Sequence, residues 1–209
     1  MYMSEEPCIS LNIIALGNTE VGKTAYIIRN AENKFRPSLY IVRIDMRNKR
    51  IELENGKKVN IKFYDTSGQE RYRSLAPNFI KKAAGIILMY DITNRESFDT
   101  ISRWWNDIFD LKERDFPVIL VGNKSDLEDE RKVQTEEGEK IAKEYNVKFY
   151  EASIKDGINV EESSRELIKK ILSRKTDDIK QTKPIKNTRI KQSKKIFKRR
   201  FCLFSKIKC

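Results

Sequence analysis

The 209-residue chain carries 43 Lys plus Arg, 31 Asp plus Glu, three Cys and no His. Without an imidazole it has no Ser-His-Asp or Cys-His nucleophile and no His-ligated metal. The formal charge of +12 sits at one end: residues 174–209 hold 14 basic and two acidic side chains, and the 29 of each sign in residues 1–173 cancel. A mass of 24.6 kDa with 39% apolar residues supports one sizeable core. The expected organisation is a short extension (1–9), a neutral body (10–173) and a basic tail (174–209).

The opening MYMSEEPCIS has no basic residue ahead of its apolar stretch, unlike a secretory leader. The longest apolar run is eight residues, 83–90, well short of the ~20 that span a bilayer. Cys8 lies near one end and Cys202 and Cys209 in the tail, leaving the body without a staple, a pattern suited to a reducing cytosol.

Along the body, LNIIAL (11–16) predicts a strand and the residues after Lys23 a helix. RIDMRNKRIEL and VNIKFYD flank Asn55-Gly56 and predict a hairpin. GIILMYD (85–91) and PVILVG (117–122) are apolar throughout, as strands covered on both faces are. Helical patterns follow at 96–112 and 135–145, then a strand at 147–152 and a helix at 160–172. This alternation predicts an α/β fold, a doubly wound, six-stranded, mostly parallel sheet. Residues 173 to about 195 are polar and read as a disordered linker.

GNTEVGKT, residues 17–24, follows the first strand and opens the first helix, the context a phosphate loop requires. Backbone N–H groups of Gly17, Asn18, Thr19, Glu20, Val21 and Gly22 would curl around phosphates, Lys23 would neutralise them, and the Thr24 hydroxyl would ligate Mg²⁺. Two further motifs choose among nucleotides. NKSD, residues 123–126, ends an apolar strand, where open α/β sheets bind ligands. The Asp126 carboxylate there can accept both N1–H and the exocyclic amine of guanine, a pairing adenine lacks; as a bland alternative it caps a helix. DTSGQE, residues 65–70, follows the strand VNIKFY. Asp65 would hold Mg²⁺ through water, Gly68 would offer its N–H to a γ-phosphate, and Gln69 would orient a water.

With these motifs in order, residues 10–173 resemble the Ras superfamily, specifically a Rab-type small GTPase. YDTSGQERYRSLAP, GIILMYDITNRESFDTISRWW, VGNKSD and EASIKDG are similar to Rab segments in order and spacing, and RYRSLAP is most similar to the endocytic subgroup. The resemblance implies that Phe35, twelve residues after Lys23, packs on guanine, and that Asn123 and Lys124 belong to the nucleotide site. It also implies that Ser153, Ile154 and Lys155 of ASIK contact the base. It implies GTP and GDP as ligands, slow hydrolysis served by Lys23, Gly68 and Gln69, and a switch in vesicle traffic. Effectors, an exchange factor and a GTPase-activating protein would engage residues 36–50 and 68–82.

The sequence departs from that family in the first switch. The family carries a Thr that ligates Mg²⁺; here no Thr occurs between Thr24 and Thr66, and alignment back from RIEL puts Ile41, Val42 and Arg43 over Thr-Ile-Gly. Losing that oxygen weakens hydrolysis and switching, so a scaffold with an impaired switch is the alternative; Ser38 or Tyr40 would substitute only on a different loop path. Glu20 and Ser67 replace smaller residues near the phosphates, while Met46, Tyr64 and Phe79 replace the usual effector-reading cluster.

The tail, SKKIFKRRFCLFSKIKC, interleaves Lys and Arg with large apolar residues and ends at Cys209. That composition fits an anionic bilayer interface, and the resemblance implies prenylation at Cys209, with Cys202 a candidate for palmitoylation. The expected location is the cytoplasmic face of intracellular membranes, cycling with cytosol. A nucleic-acid-binding P-loop protein is the competing class; the neutral body and the aromatic tail argue against it.

Overall fold

The computed structural model describes residues 9–35, 45–53, 56, 58–65, 76–113 and 115–181, side chains of Asp45 and residues 176–181 aside. In chain order the elements are β1 (Ile9–Leu16), α1 (Lys23–Glu32), β2 (Asp45–Glu52), β3 (Lys58–Asp65), α2 (Ala76–Lys82), β4 (Gly85–Asp91), α3 (Arg95–Asp99) and α4 (Ile101–Phe109). Then follow β5 (Val118–Asn123), α5 (Thr135–Glu144), β6 (Lys148–Ala152) and α6 (Val160–Gln181).

One six-stranded sheet runs β2-β3-β1-β4-β5-β6, parallel throughout except for the β2–β3 hairpin. The alternation along β3, buried at every second residue, marks a strand with one face on the core. In β4 and β5 every residue is buried, because helices cover both sides. One face packs Leu11, Ile13, Ile61, Phe63, Ile87 and Val121 against Tyr26 and Ile27 of α1 and Leu167 and Ile171 of α6. The other packs Ile14, Leu16, Ile86, Leu88 and Leu120 against α2, α3, α4 and α5 through Ile80, Phe98, Ile101, Trp104 and Ala142. Each fully buried Leu, Ile, Val or Phe among them contributes about 1.5–3 kcal/mol.

Two expectations change. The single helix predicted over 96–112 is two, α3 and α4, meeting at Thr100, and it ends at Phe109. Thr100 keeps helical torsions and its N–H still reaches Glu96, but its hydroxyl competes for the Ser97 carbonyl, as Ser and Thr do inside helices. The residues read as a disordered linker begin as helix, since α6 continues to Gln181. The polar composition that suggested disorder does not exclude helix: Arg174, Lys175, Lys180 and Gln181 are good helix formers, and the stretch continues a helix already nucleated by the packed residues 160–172. Among the described residues no helix is long and apolar enough to cross a membrane.

The strand order reverses about β1, which has β3 on one side and β4 on the other. A crevice forms beyond the carboxyl ends of strands at such a reversal. β3 ends there, and the loops after β1, β5 and β6 emerge there.

Candidate functional site

The loop after β1 is shaped by two glycines. Gly17 has φ +142°, and a Cβ on it would stand 2.2 Å from the Met89 carbonyl oxygen. Gly22 has φ +99°, and its Cβ would stand 2.3 Å from Asn123 Nδ2. Neither position accepts a side chain. Between them Val21 is buried as an anchor, and Thr19 and Glu20 face solvent. Glu20 holds φ +64° without being glycine, a conformation that costs roughly 1–2 kcal/mol.

Helix α1 then starts with the Tyr26 N–H on the Gly22 carbonyl at 2.8 Å, presenting the unfilled N–H groups of its first turn toward the loop. Lys23 is 4% exposed, and its ammonium donates to the Asn18 carbonyl oxygen. Burial pushes Lys23 down to about 8, against the upward pull of the Asp65 carboxylate. Asp65 closes β3, level with Ala15 in the β1–β3 register. It is buried at 1% exposure and accepts the Thr24 hydroxyl. Two hard oxygens thus converge beside a buried cation, a donor set suited to Mg²⁺, which takes one or two protein oxygens and completes its shell with water and phosphate.

The second half of the crevice is built on β5 and β6. Asn123 pairs in register with Asp91 of β4 and Ala152 of β6. Its amide donates to the Val21 carbonyl at 2.8 Å, tying the NKSD segment to the phosphate loop. Lys124 turns left-handed at φ +72° and pairs with Asp91, whose other oxygen accepts the Thr93 N–H and hydroxyl at 2.8 Å each. Asp126 Oδ1 lies 2.8 Å from Ser153 Oγ, and its Oδ2 lies 3.7 Å from Lys155 Nζ. Ser153 also accepts the Asp156 N–H at 3.0 Å, closing the turn after β6. Ile154 is buried beneath this turn while Phe35, just beyond α1, stays 37% exposed. Phe35 is therefore not a core aromatic.

Residues 17–24, Asp65, Asn123, Lys124, Asp126 and 153–155 thus lie at or just beyond the carboxyl ends of β1, β3, β5 and β6. Gly68, Gln69, Ser67, Ser38, Tyr40, Ile41, Val42, Arg43, Asn55, Cys8, Cys202 and Cys209 lie outside the described residues. The hairpin turn is described only at Gly56, with φ +75° and its N–H on the Leu53 carbonyl at 2.8 Å. Tyr64 and Phe79 form a tilted aromatic pair 6.1 Å apart, with Met46 43% exposed.

Sequence reading missed three contributors: Asp91, which holds Lys124, and Thr100 and Trp104, which hold Asn18. Asp91 had a signal, a lone carboxylate ending the apolar run GIILMY. Thr100 and Trp104 had none, because they meet Asn18 only across 82 and 86 residues of chain. A separate groove of about 650 Å³ runs between the β2–β3 hairpin and α6, floored by Ile51, Ile61, Phe63 and Ile168. None of the residues named for nucleotide lines it.

The fold is that of a P-loop α/β domain, and the chain belongs to the Ras family, whose pattern matches residues 12–173. Within that family it is a small GTPase of Rab type. It is 42% identical to human Ras-related protein Rab-37 over 151 residues, covering 71% of this chain and 67% of that one. It is 39% identical to human Ras-related protein Rab-3A over 173 residues, 82% and 78% of the two chains. To the GTP-binding protein ypt2 of Schizosaccharomyces pombe it is 37% identical over 168 residues, 80% and 84%.

Proposed function

We propose that this protein binds GTP and GDP in the crevice described above, hydrolyses GTP slowly, and acts as a switch in intracellular vesicle and membrane traffic. The observation that carries the reading is the tie between the two halves of the crevice, Asn123 to Val21 at 2.8 Å. Through it the phosphate loop and the Asp126 segment are held as one site. Lys23, buried and cationic, sits where phosphate charge would collect; Thr24 and Asp65 would hold Mg²⁺, which when bound supplies positive charge to the β- and γ-phosphates. Asp126 would read guanine through N1–H and the exocyclic amine, Ser153 and Lys155 would hold its carboxylate in place, and Phe35 would cover the ring.

Gly68 and Gln69 are assigned by sequence, Gln69 to orient the attacking water. Single-turnover phosphate release with Mg²⁺, wild type against Gln69→Leu, tests that role, and equal rates would remove it. A second reading, a GTP-binding scaffold with an impaired switch, is favoured by Ile41 standing where the family has its Mg²⁺-ligating Thr. Affinities for GTP and GDP, measured with and without Mg²⁺, separate the two: equal and metal-insensitive values mean the switch is broken.

The basic, aromatic tail would hold the protein on anionic membrane surfaces at their cytoplasmic side, with lipid on Cys209 or Cys202. Intact mass after expression in a eukaryotic cell tests the modification. Liposome flotation against RNA competition distinguishes bilayer from nucleic acid. Effectors, an exchange factor and an activating protein would dock on residues 36–50 and 68–82.

A further inference from the structure

Asn18 carries two unrelated duties. Its backbone carbonyl accepts the Lys23 ammonium. Its side-chain Oδ1 accepts the Trp104 indole N–H at 3.0 Å and the Thr100 hydroxyl at 2.9 Å. Thr100 and Trp104 stand four residues apart, one above the other on a single helix face. The break between α3 and α4 falls at Thr100 itself. The Thr100 hydroxyl has one proton, which it also directs at the Ser97 carbonyl at 3.0 Å; the indole N–H reaches Asn18 from a rigid ring. Trp104 is only 9% exposed, and a buried indole N–H without an acceptor is costly. Its rigid ring therefore pins the Asn18 side chain, and with it the carbonyl that docks Lys23.

We propose that Asn18 is a positioning residue whose clamp by Trp104 and Thr100 fixes the phosphate loop and slows nucleotide release. This rests on the reading of the crevice as the nucleotide site. The clamp acts through Asn18 on Lys23; neither Trp104 nor Thr100 touches the nucleotide in this account.

The test is the dissociation rate of fluorescently labelled GDP from the full chain with Mg²⁺, in Asn18→Ala, Trp104→Phe and the double variant. Trp104→Phe keeps an aromatic ring in the core and removes the N–H. Asn18→Ala is expected to speed release about tenfold, on the scale of two lost hydrogen bonds, and Trp104→Phe severalfold. The double variant should release no faster than Asn18→Ala, since both remove one interaction. A purely structural role would lower melting temperature without this coupling. A second signature is the Trp104 indole N–H resonance, identified with Trp105→Phe. It should shift on GDP binding in wild type and stay still in Asn18→Ala. Unchanged release from folded Trp104→Phe, or effects that multiply, would overturn the proposal. A wild type that does not retain labelled GDP would overturn the nucleotide site itself, and the clamp's role with it.

Discussion

The most exposed consequence of the site's electrostatics concerns Lys23 when no phosphate is present. Its ammonium is 4% exposed and has one hydrogen-bond acceptor among the described residues, the Asn18 carbonyl. Burial lowers Lys23 from 10.5 to about 8, a balance that already includes the attraction of Asp65. At 1.36 kcal/mol for each tenfold change in proton affinity, keeping the buried charge at pH 7 costs about 3 kcal/mol. Lys23→Met fills the same stem with an apolar chain, so the nucleotide-stripped variant should be more stable than wild type. At 2–4 °C per kcal/mol for a domain of this size, its melting temperature should rise by roughly 6–12 °C.

The pH dependence gives the sign independently. Between about 8 and 10.5 the unfolded chain binds a proton at this lysine that the folded chain does not. Wild-type stability relative to Lys23→Met therefore rises with pH across that window, and the gap is full below it. Nucleotide reverses the order, because phosphate restores the reason for the charge. Wild type should gain melting temperature with GDP and Mg²⁺, and Lys23→Met almost none. Thermal melts of both proteins, stripped with a chelator and reloaded, at pH 7 and pH 10, provide the measurement. A stripped Lys23→Met that melts at or below wild type at pH 7 would refute the claim that this cation is held in place for a ligand.

Other expectations follow from the same geometry. Asp126→Ala should weaken GTP binding about 100-fold, the scale of hydrogen bonds to a carboxylate, and should abolish discrimination against inosine triphosphate, which lacks the exocyclic amine; a preserved preference in competition binding would remove Asp126 from base reading. Gly22→Ala combines a φ of +99° with a Cβ 2.3 Å from Asn123 Nδ2. It should cost at least about 2 kcal/mol in denaturant unfolding, and a neutral result would mean the loop has another path. Glu20→Gly relieves a left-handed residue at φ +64° and should stabilise by about 0.5–1 kcal/mol. With a negative charge removed it should also bind GDP tighter in a titration; weaker binding would show that the Glu20 side chain contributes.

Much of the architecture was legible because its signals are local. GNTEVGKT between an apolar strand and a helix, NKSD at the end of VILVG and an all-apolar GIILMYD report on neighbours along the chain, and the strands formed where those patterns lie. Errors fell where local signals compete. At Thr100 a hydroxyl interrupts a helix whose hydrophobic pattern runs on. Beyond Leu172 the polar composition points to disorder, yet α6 continues to Gln181, carried on from the packed turns that precede it.

By itself, the sequence determined the fold class and the separation of a neutral body from a basic end, and it marks three candidate nucleotide motifs, because each is written in contiguous residues or in composition. Only the tertiary structure decided which side chains hold those motifs to one another: Asn123 on Val21, Asp91 on Lys124, and Trp104 with Thr100 on Asn18. These partners meet across sheet neighbours and helix faces, and the physical reason they stay hidden is distance along the chain. A hydrogen bond depends on where two groups lie within about 3 Å of each other, and only the packed sheet, with its order and register, sets that.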